Sequence, residues 1–332
     1  MKSIYLGGNR IFEVYDRETR ELLQKHTQIE PVNQTKEEIL SSPEAFRDTA
    51  CIFSTWGMPA FSVQEIRTCL PALRAVFYGA GSVQHFARPF LDAGVRVFSA
   101  WGANAVPVAE YTLAQILLAN KGFYLAARRN TSPAARAANA AYVAGMPGNY
   151  GATVGILGAG MIGKTLIRML AAYRLRVLVY DPFLSEEAAA ELGVRKTDLP
   201  TLFAASQVVS NHIANLPATR GMLNYDLFSL MKPNAVFLNT GRGAQVVEAD
   251  LCRILRERQD MTAVLDVTDP EPPAADSPLY TLPNVFLTPH IAGSSGDEVA
   301  RMGTYMAEEF LRMEIGEECL YEVSAAMLAT MA

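Results

Sequence analysis

The sequence predicts an α/β protein built on two doubly wound, mainly parallel sheets. Three observations carry this. Short runs rich in β-branched and aromatic residues alternate with longer Ala/Leu/Glu/Arg stretches, the pattern of strand–helix–strand units rather than of a sandwich or a bundle. The runs fall into two groups, four before a long helical pattern and six after it. A chain of 332 residues, 50% hydrophobic and 19% charged, is long enough for two cores.

In the first group, strands are read at KSIYLG (2–7), ACIFST (50–55), RAVFYG (74–79) and VRVFSA (95–100). The segments SVQEIRTCLPAL and VQHFARPFLDAG between them read as helices. A long helical pattern runs from Val106 to about Arg129, and residues 127–151, ARRNTSPAARAANAAYVAGMPGNYG, are rich enough in Ala, Pro, Gly and Asn to read as an exposed excursion. Six further strands follow at ATVGILG, RVLVYD, QVVSNHI, AVFLNTG, TAVLDV and NVFLTP. That number suits a complete dinucleotide-binding sheet.

Composition excludes several classes of partner. A net charge of −5 leaves no basic face for nucleic acid or anionic lipid, so neither is expected and a small molecule is. Charge enters the opening MKSIYLGGNRIFEVYDRE too early for a signal-peptide core, and no apolar stretch approaches the roughly 18 residues of a membrane span, so the cytoplasm is the expected compartment. Cys51, Cys69, Cys252 and Cys319 are far apart, with no C-x-x-C pair and no clustered histidines. They predict reduced thiols and no metal site.

The strand ATVGIL leads into GAGMIGKTLIRML, which puts Gly158, Gly160 and Gly163 in G-x-G-x-x-G spacing. The spacing has a mechanism: one glycine makes a tight turn, one lets the backbone approach a pyrophosphate, and one lets the helix pack on the strand. The helix N-terminus then offers free N–H groups to the phosphates. The next strand ends on Asp181, at the distance where an acidic residue meets the adenosine ribose; a helix N-cap or turn role, favoured by Pro182, can coexist with it. A carboxylate there repels a 2′-phosphate, and no arginine follows immediately to accept one, which favours NAD(H) over NADP(H); Arg195 and Lys196 are the next cations along the chain.

Three titratable residues follow later strands. Arg242 comes after AVFLNTG, Glu271 shortly after TAVLDV, and His290 directly after NVFLTP. Each has a plainer reading, as a solvated cation, a turn residue in DPEPP, or a histidine beneath a loop. As a set, they suit hydride transfer to a carbonyl. A histidine delivers the proton, a carboxylate on its other nitrogen orients it, and an arginine polarises the oxygen.

With GAGMIG, the segments MKPNAVFLNTGRG, AVLDVTDPEP, SPLYTLPNVFLTPHIAG and ANAVPVAEYTLAQILL resemble, in order and over nearly the whole chain, the D-isomer-specific 2-hydroxyacid dehydrogenases. The resemblance implies a flavodoxin-like substrate domain from residues 1–103 and 293–332, and an inserted Rossmann NAD-binding domain at 104–292, with a hinge at the crossings. It implies that His290 is the proton donor, Glu271 its partner, and Arg242 the group binding carboxylate and carbonyl. Met161 and Ile162 fall at the pyrophosphate turn, Asp181 at the ribose, Ile213 along the cofactor, and Thr240, Gly241 and Asp266 near the nicotinamide. Backbone N–H groups near Ala80 and Gly81 would hold the substrate carboxylate, with Trp56 beside its side chain. A small 2-oxo or 2-hydroxy acid as substrate and a homodimer built on the 127–151 excursion are implied as well.

The sequence also departs from the family pattern. Ala214, Asn215 and Leu216 stand in HIANLPATRG where family members carry His-x-Pro-Leu-Thr-Pro, and the substrate turn reads GAGSVQHF. His85 and His212 read as structural, and Trp101 as packing at the hinge. Two other functions stay open at this point. One is an NAD(H)-sensing, corepressor-like binding protein with little turnover; the other, an S-adenosylmethionine methyltransferase, is disfavoured by the Arg242, Glu271 and His290 set.

Overall fold

A computed structural model describes residues 1–329; residues 330–332, assigned above to the first domain, lie outside the described residues. The chain divides into two compact units, one of residues 1–104 together with the segment from Ser294 onward, the other of residues 105–293.

The first unit holds β1 (Lys2–Leu6), β2 (Asn33–Gln34), β3 (Thr49–Ser54), β4 (Ala75–Tyr78) and β5 (Arg96–Ser99) in the order 2-1-3-4-5, all parallel. This is the flavodoxin-like order. A C-terminal strand, Glu322–Val323, adds antiparallel to β5. Alternate residues supply the two faces of the sheet. On one, Phe53, Phe77 and Phe98 stack in a row at 5.3 and 4.7 Å, and Phe310 of helix Val299–Ile315 meets the first two edge-on. On the other, Ile52, Val76 and Val97 bury against Phe86 and Phe90. Each such side chain contributes about 1.5–3 kcal/mol of transfer free energy, so both faces hold the sheet. Gly303 lets the C-terminal helix press onto the chain at Val14, where a Cβ would lie 2.0 Å from the carbonyl oxygen.

The second unit holds β6 (Tyr150–Leu157), β7 (Arg174–Tyr180), β8 (Arg195–Lys196), β9 (Val208–Asn211), β10 (Val236–Asn239), β11 (Thr262–Leu265) and β12 (Val285–Leu287). They run in the order 12-11-10-9-6-7-8, every neighbouring pair parallel. Counted within the unit this is 7-6-5-4-1-2-3, a Rossmann sheet with one strand added at the edge. The order in which strands are added switches side between β6 and β9, which lie next to each other and parallel.

Three details correct the sequence reading. The sheet has seven strands rather than six, because β8 is two residues long and carries only Arg195 and Lys196 on the edge. Edge strands this short have no apolar face to announce them. The expected helix from Val106 begins instead at Trp101 and ends at Asn120, and Gly122, at φ +68°, breaks it from a second helix, Phe123–Arg129. The excursion contains a 12-residue helix, Pro133–Ala144, with Ser132 capping the Ala135 N–H and Pro133 in its first turn. Its alanines, read as irregular, are strong helix formers.

Candidate functional site

In the second unit, the residues singled out from sequence all stand at or just beyond the carboxyl ends of parallel strands. Gly158–Gly163 follow β6, Asp181 follows β7, Ile213 follows β9, Thr240–Arg242 follow β10, Asp266 and Glu271 follow β11, and His290 follows β12. Ligands of open α/β sheets bind on this edge, at the switch in strand order.

The three glycines of the turn meet different demands. Gly158 has φ +90°, and a Cβ there would lie 2.8 Å from the carbonyl oxygen of His212. A Cβ on Gly163 would lie 2.0 Å from the Gly158 carbonyl oxygen, so this glycine lets the helix Met161–Leu170 sit against the strand end. Around Gly160, no protein atom comes within 4 Å of an added Cβ, and its φ of −69° suits any residue. The fold does not require glycine at 160; a group approaching the backbone from outside would. The helix N-terminus here has no side-chain cap, leaving its first N–H groups for an anion.

Asp181 reaches this turn. Its Oδ2 accepts from Ala159 N–H at 2.6 Å and its Oδ1 from Phe183 N–H at 2.7 Å, and each oxygen retains a lone pair for a ribose hydroxyl. Lys196 is tied to the Leu184 carbonyl at 2.5 Å, while Arg195 is exposed. Donor set, open backbone and carboxylate fit an NAD(H) pyrophosphate and ribose.

Between β9 and β10 lies a buried amide network that sequence reasoning missed. Asn211 Nδ2 donates to Asn239 Oδ1 and Gln245 Oε1, both at 3.0 Å. The same three side chains bond the backbone of the predicted site residues: Asn211 Oδ1 accepts from Ile213 N–H, Asn239 Oδ1 from Gly241 N–H, and Gln245 Oε1 from Arg242 N–H. All three are at most 1% exposed, so a partner lost here would leave an unsatisfied polar group.

His212 is buried beside this network. Thr112 Oγ1 donates to the Val108 carbonyl at 2.7 Å, so it accepts from Thr240 Oγ1 at 3.3 Å. Thr240 in turn accepts from His212 Nδ1 at 3.2 Å, and His212 Nε2 accepts from Ser210 Oγ at 2.8 Å. That count of protons makes the ring neutral with its hydrogen on Nδ1. Burial agrees, pulling its pKa down to about 3.

Arg242 is half-buried, with Nη1 donating to the Gly241 carbonyl at 2.7 Å. Burial lowers its pKa from the ordinary arginine value and the charge of Glu271 opposes the shift. Glu271 Oε1 stands 2.6 Å from His290 Nδ1. A carboxylate at that distance accepts the Nδ1 hydrogen, which leaves Nε2 as the nitrogen free to give or take a proton. Both side chains are partly open to solvent.

Asp266 acts on His290 through the backbone. His290 has φ +55°, uncommon for a residue with a Cβ. Asp266 holds the loop there, accepting from Ile291 N–H at 2.8 Å, Ala292 N–H at 2.9 Å and Thr288 Oγ1 at 2.5 Å. Its own carbonyl accepts from His290 N–H at 3.1 Å. Read from sequence as a nicotinamide neighbour, Asp266 is thus occupied in fixing the histidine.

In the first unit, Thr55 Oγ1 donates to the Gly79 carbonyl and Ser99 Oγ to the carbonyls of Ala80 and Gly81, at 2.9 and 2.6 Å. Ser99 was not singled out from sequence. Ala80 N–H turns back to the Tyr78 carbonyl at 2.9 Å, so, contrary to the sequence reading, it is not a free donor. Among the described residues, no acceptor meets the N–H groups of Gly81 and Ser82. Trp56 is half-buried against both core clusters of this unit, and Trp101 packs edge-on against Tyr321 at 5.6 Å. His85 is exposed, its Nε2 3.2 Å from the Met58 carbonyl. The four cysteines are unpaired, and no cluster among the described residues could hold a metal ion. No described helix is long and apolar enough to cross a membrane.

Residues 121–292 match the family model described as D-isomer specific 2-hydroxyacid dehydrogenase, NAD binding domain. The D-3-phosphoglycerate dehydrogenase of Archaeoglobus fulgidus is 33% identical over 234 residues, 67% of this chain and 42% of that protein. The chain thus spans under half the length of such relatives. The (S)-sulfolactate dehydrogenase of Chromohalobacter salexigens is 32% identical over 256 residues, 76% of this chain and 81% of the relative. Among solved structures, apo D-mandelate dehydrogenase of Rhodotorula graminis superposes with a TM-score of 0.80 at 20% identity, covering 97% of each chain. A phosphoglycerate oxidoreductase from Rhizobium etli gives 0.79 at 22%, over 98% of this chain and 99% of that one. At these identities, the structural likeness establishes the fold alone.

Proposed function

The chain is a member of the D-isomer-specific 2-hydroxyacid dehydrogenases, and from that premise we propose that it interconverts a 2-oxoacid and a D-2-hydroxyacid with NAD(H). The observation that carries the proposal is the 2.6 Å contact between Glu271 and His290, beside an arginine that feels the same carboxylate. Bound NADH supplies the hydride for the carbonyl carbon. The protein's work is binding, orientation and the proton. Glu271 fixes the His290 ring through Nδ1, so that Nε2 faces outward to deliver a proton to the substrate oxygen in reduction and remove one in oxidation. Arg242 supplies a fixed positive charge for the carboxylate and the developing oxyanion. Asp181 accepts the ribose hydroxyls and disfavours NADPH.

A homodimer and a cytoplasmic location belong to the same proposal. Leu118, Phe123, Val143 and Tyr150, all exposed, crowd the 118–150 segment and offer an apolar surface for a second copy.

The test is NADH oxidation, with NADPH in parallel, against a panel of 2-oxoacids. His290→Ala is expected to lower kcat by about 10²–10⁴-fold, the usual range for a positioned acid, while NADH still binds. Absence of turnover in the unaltered protein, with NADH bound, would overturn the dehydrogenase reading and leave dinucleotide sensing.

A further inference from the structure

The buried amides between β9 and β10 converge on one short segment. Asn211, Asn239 and Gln245 bond one another, and the side-chain bonds they make beyond the trio end on the backbone of Ile213, Gly241 and Arg242. Gln245 has the widest reach. It closes the one-turn 3₁₀ helix Gly243–Gln245, and its side chain turns back to the residue before that helix. Oε1 accepts from Arg242 N–H at 3.1 Å, while Nε2 donates to the Ile213 carbonyl at 3.2 Å. Asn239 takes the other side of the same residue, Nδ2 donating to the Arg242 carbonyl at 3.1 Å.

The opposite flank of the segment is held by contact. A Cβ on Gly243 would lie 1.9 Å from the Thr268 carbonyl carbon, so the segment presses on the loop after β11 that carries Glu271. The arginine side chain inherits this position, because its Nη1 bonds the Gly241 carbonyl within the same segment. Gln245 itself is wholly buried, at a place where an apolar side chain would fill the space without the cost of desolvating an amide. What the amide adds there is a bond to the arginine's backbone and a bond to the cofactor segment.

We infer that Gln245 is a positioning residue for the reaction: with Asn239 it sets the place of the Arg242 guanidinium, and through Ile213 it ties that place to the cofactor segment. The inference rests on the dehydrogenase reading above, in which Arg242 meets the substrate carboxylate. A shift of about 1 Å in such a group costs on the order of 10²-fold in rate, so the backbone bonds behind it matter to turnover.

Three variants test it. Gln245→Met nearly keeps the volume and removes both bonds, Gln245→Asn keeps an amide but draws it back by a methylene, and Gln245→Glu leaves an oxygen for Arg242 N–H in either protonation state. In NADH oxidation with the best 2-oxoacid of the panel, the Met and Asn variants should lose about tenfold or more in kcat/KM, mainly through KM, and Gln245→Glu should retain most of it. A simple loss of folded protein would lower kcat and leave KM as it is. In an Arg242→Ala background, Gln245→Met should cost about twofold or less, because the group it positions is gone. Should Gln245→Met not fold, Gln245→Asn carries both comparisons. An unaltered KM, or the full loss repeated in the Arg242→Ala background, overturns the inference while the dehydrogenase reading stands. No NADH oxidation by the unaltered protein with any 2-oxoacid would overturn that reading, and the inference with it.

Discussion

His212 shows how much one side chain can depend on its surroundings. Its two nitrogens are spent on Ser210 and Thr240, and burial leaves its pKa at about 3, well below the ordinary 6.5. Between those two values, the unfolded chain binds a proton that the folded one does not, so stability rises with pH across the window. The contribution is complete above pH 6.5 and is lost as the pH falls towards 3, with a slope of at most about 1.4 kcal/mol per pH unit. Urea unfolding at about pH 7 and pH 5 should show a loss in the unaltered protein that is reduced in His212→Gln; equal losses would refute the assignment. The catalytic candidates were legible because Arg242, Glu271 and His290 follow apolar runs, and a parallel sheet brings the ends of its strands to one edge. Asn211, Asn239 and Gln245 were not. An amide at a strand end reads as a turn residue, and its service to Ile213, Gly241 and Arg242 exists only once β9 and β10 are neighbours.

At the scale of the element, the β6–turn–helix unit separates what folding requires from what a ligand requires. Gly163→Ala would force a Cβ to within 2.0 Å of the Gly158 carbonyl oxygen and should destabilise the protein by about 1–3 kcal/mol or more, the usual range for overpacking. Gly160→Ala meets no protein atom within 4 Å. It should leave thermal stability without NADH nearly unchanged and raise the NADH Kd about tenfold or more by obstructing the pyrophosphate. Equal NADH affinity in Gly160→Ala would remove the pyrophosphate from this turn. All ten strands read from sequence are present, because β-branched and aromatic runs between helical segments mark buried parallel strands strongly. What escaped were the two-residue strands β2 and β8 and the C-terminal strand. The last is positioned from a distance: buried Glu309 accepts from Leu320 and Tyr321 N–H, and Arg96 of β5 pairs with Glu322 at 2.6 Å. No local pattern in residues 317–323 encodes those partners.

For the whole molecule, the least self-sufficient feature is the 133–144 helix. Twelve residues are too few for an isolated helix to be stable in water, and of this one only Asn139 is buried, through its bond to the Ala126 carbonyl at 3.1 Å. Its exposed face is alanine and Val143 with a single charge, Arg136, and Leu118, Phe123 and Tyr150 are exposed in the flanking chain. Water is a poor partner for such a surface, and burying it at about 25 cal/mol per Å² would supply the stabilisation that the chain alone does not. A second copy offers the same patch in return, since a two-fold interface is self-complementary. Sedimentation at micromolar concentration should therefore show a dimer, and Val143→Glu with Tyr150→Glu should give a monomer, because the paired interface would bury like charges with no partner. The same double variant should bind NADH with little change, as neither residue belongs to the cofactor turn, and should exchange the amides of 133–144 faster than the dimer does. A protein that sediments as a monomer before substitution, or a double variant that remains dimeric, would show that this helix stands without a second copy.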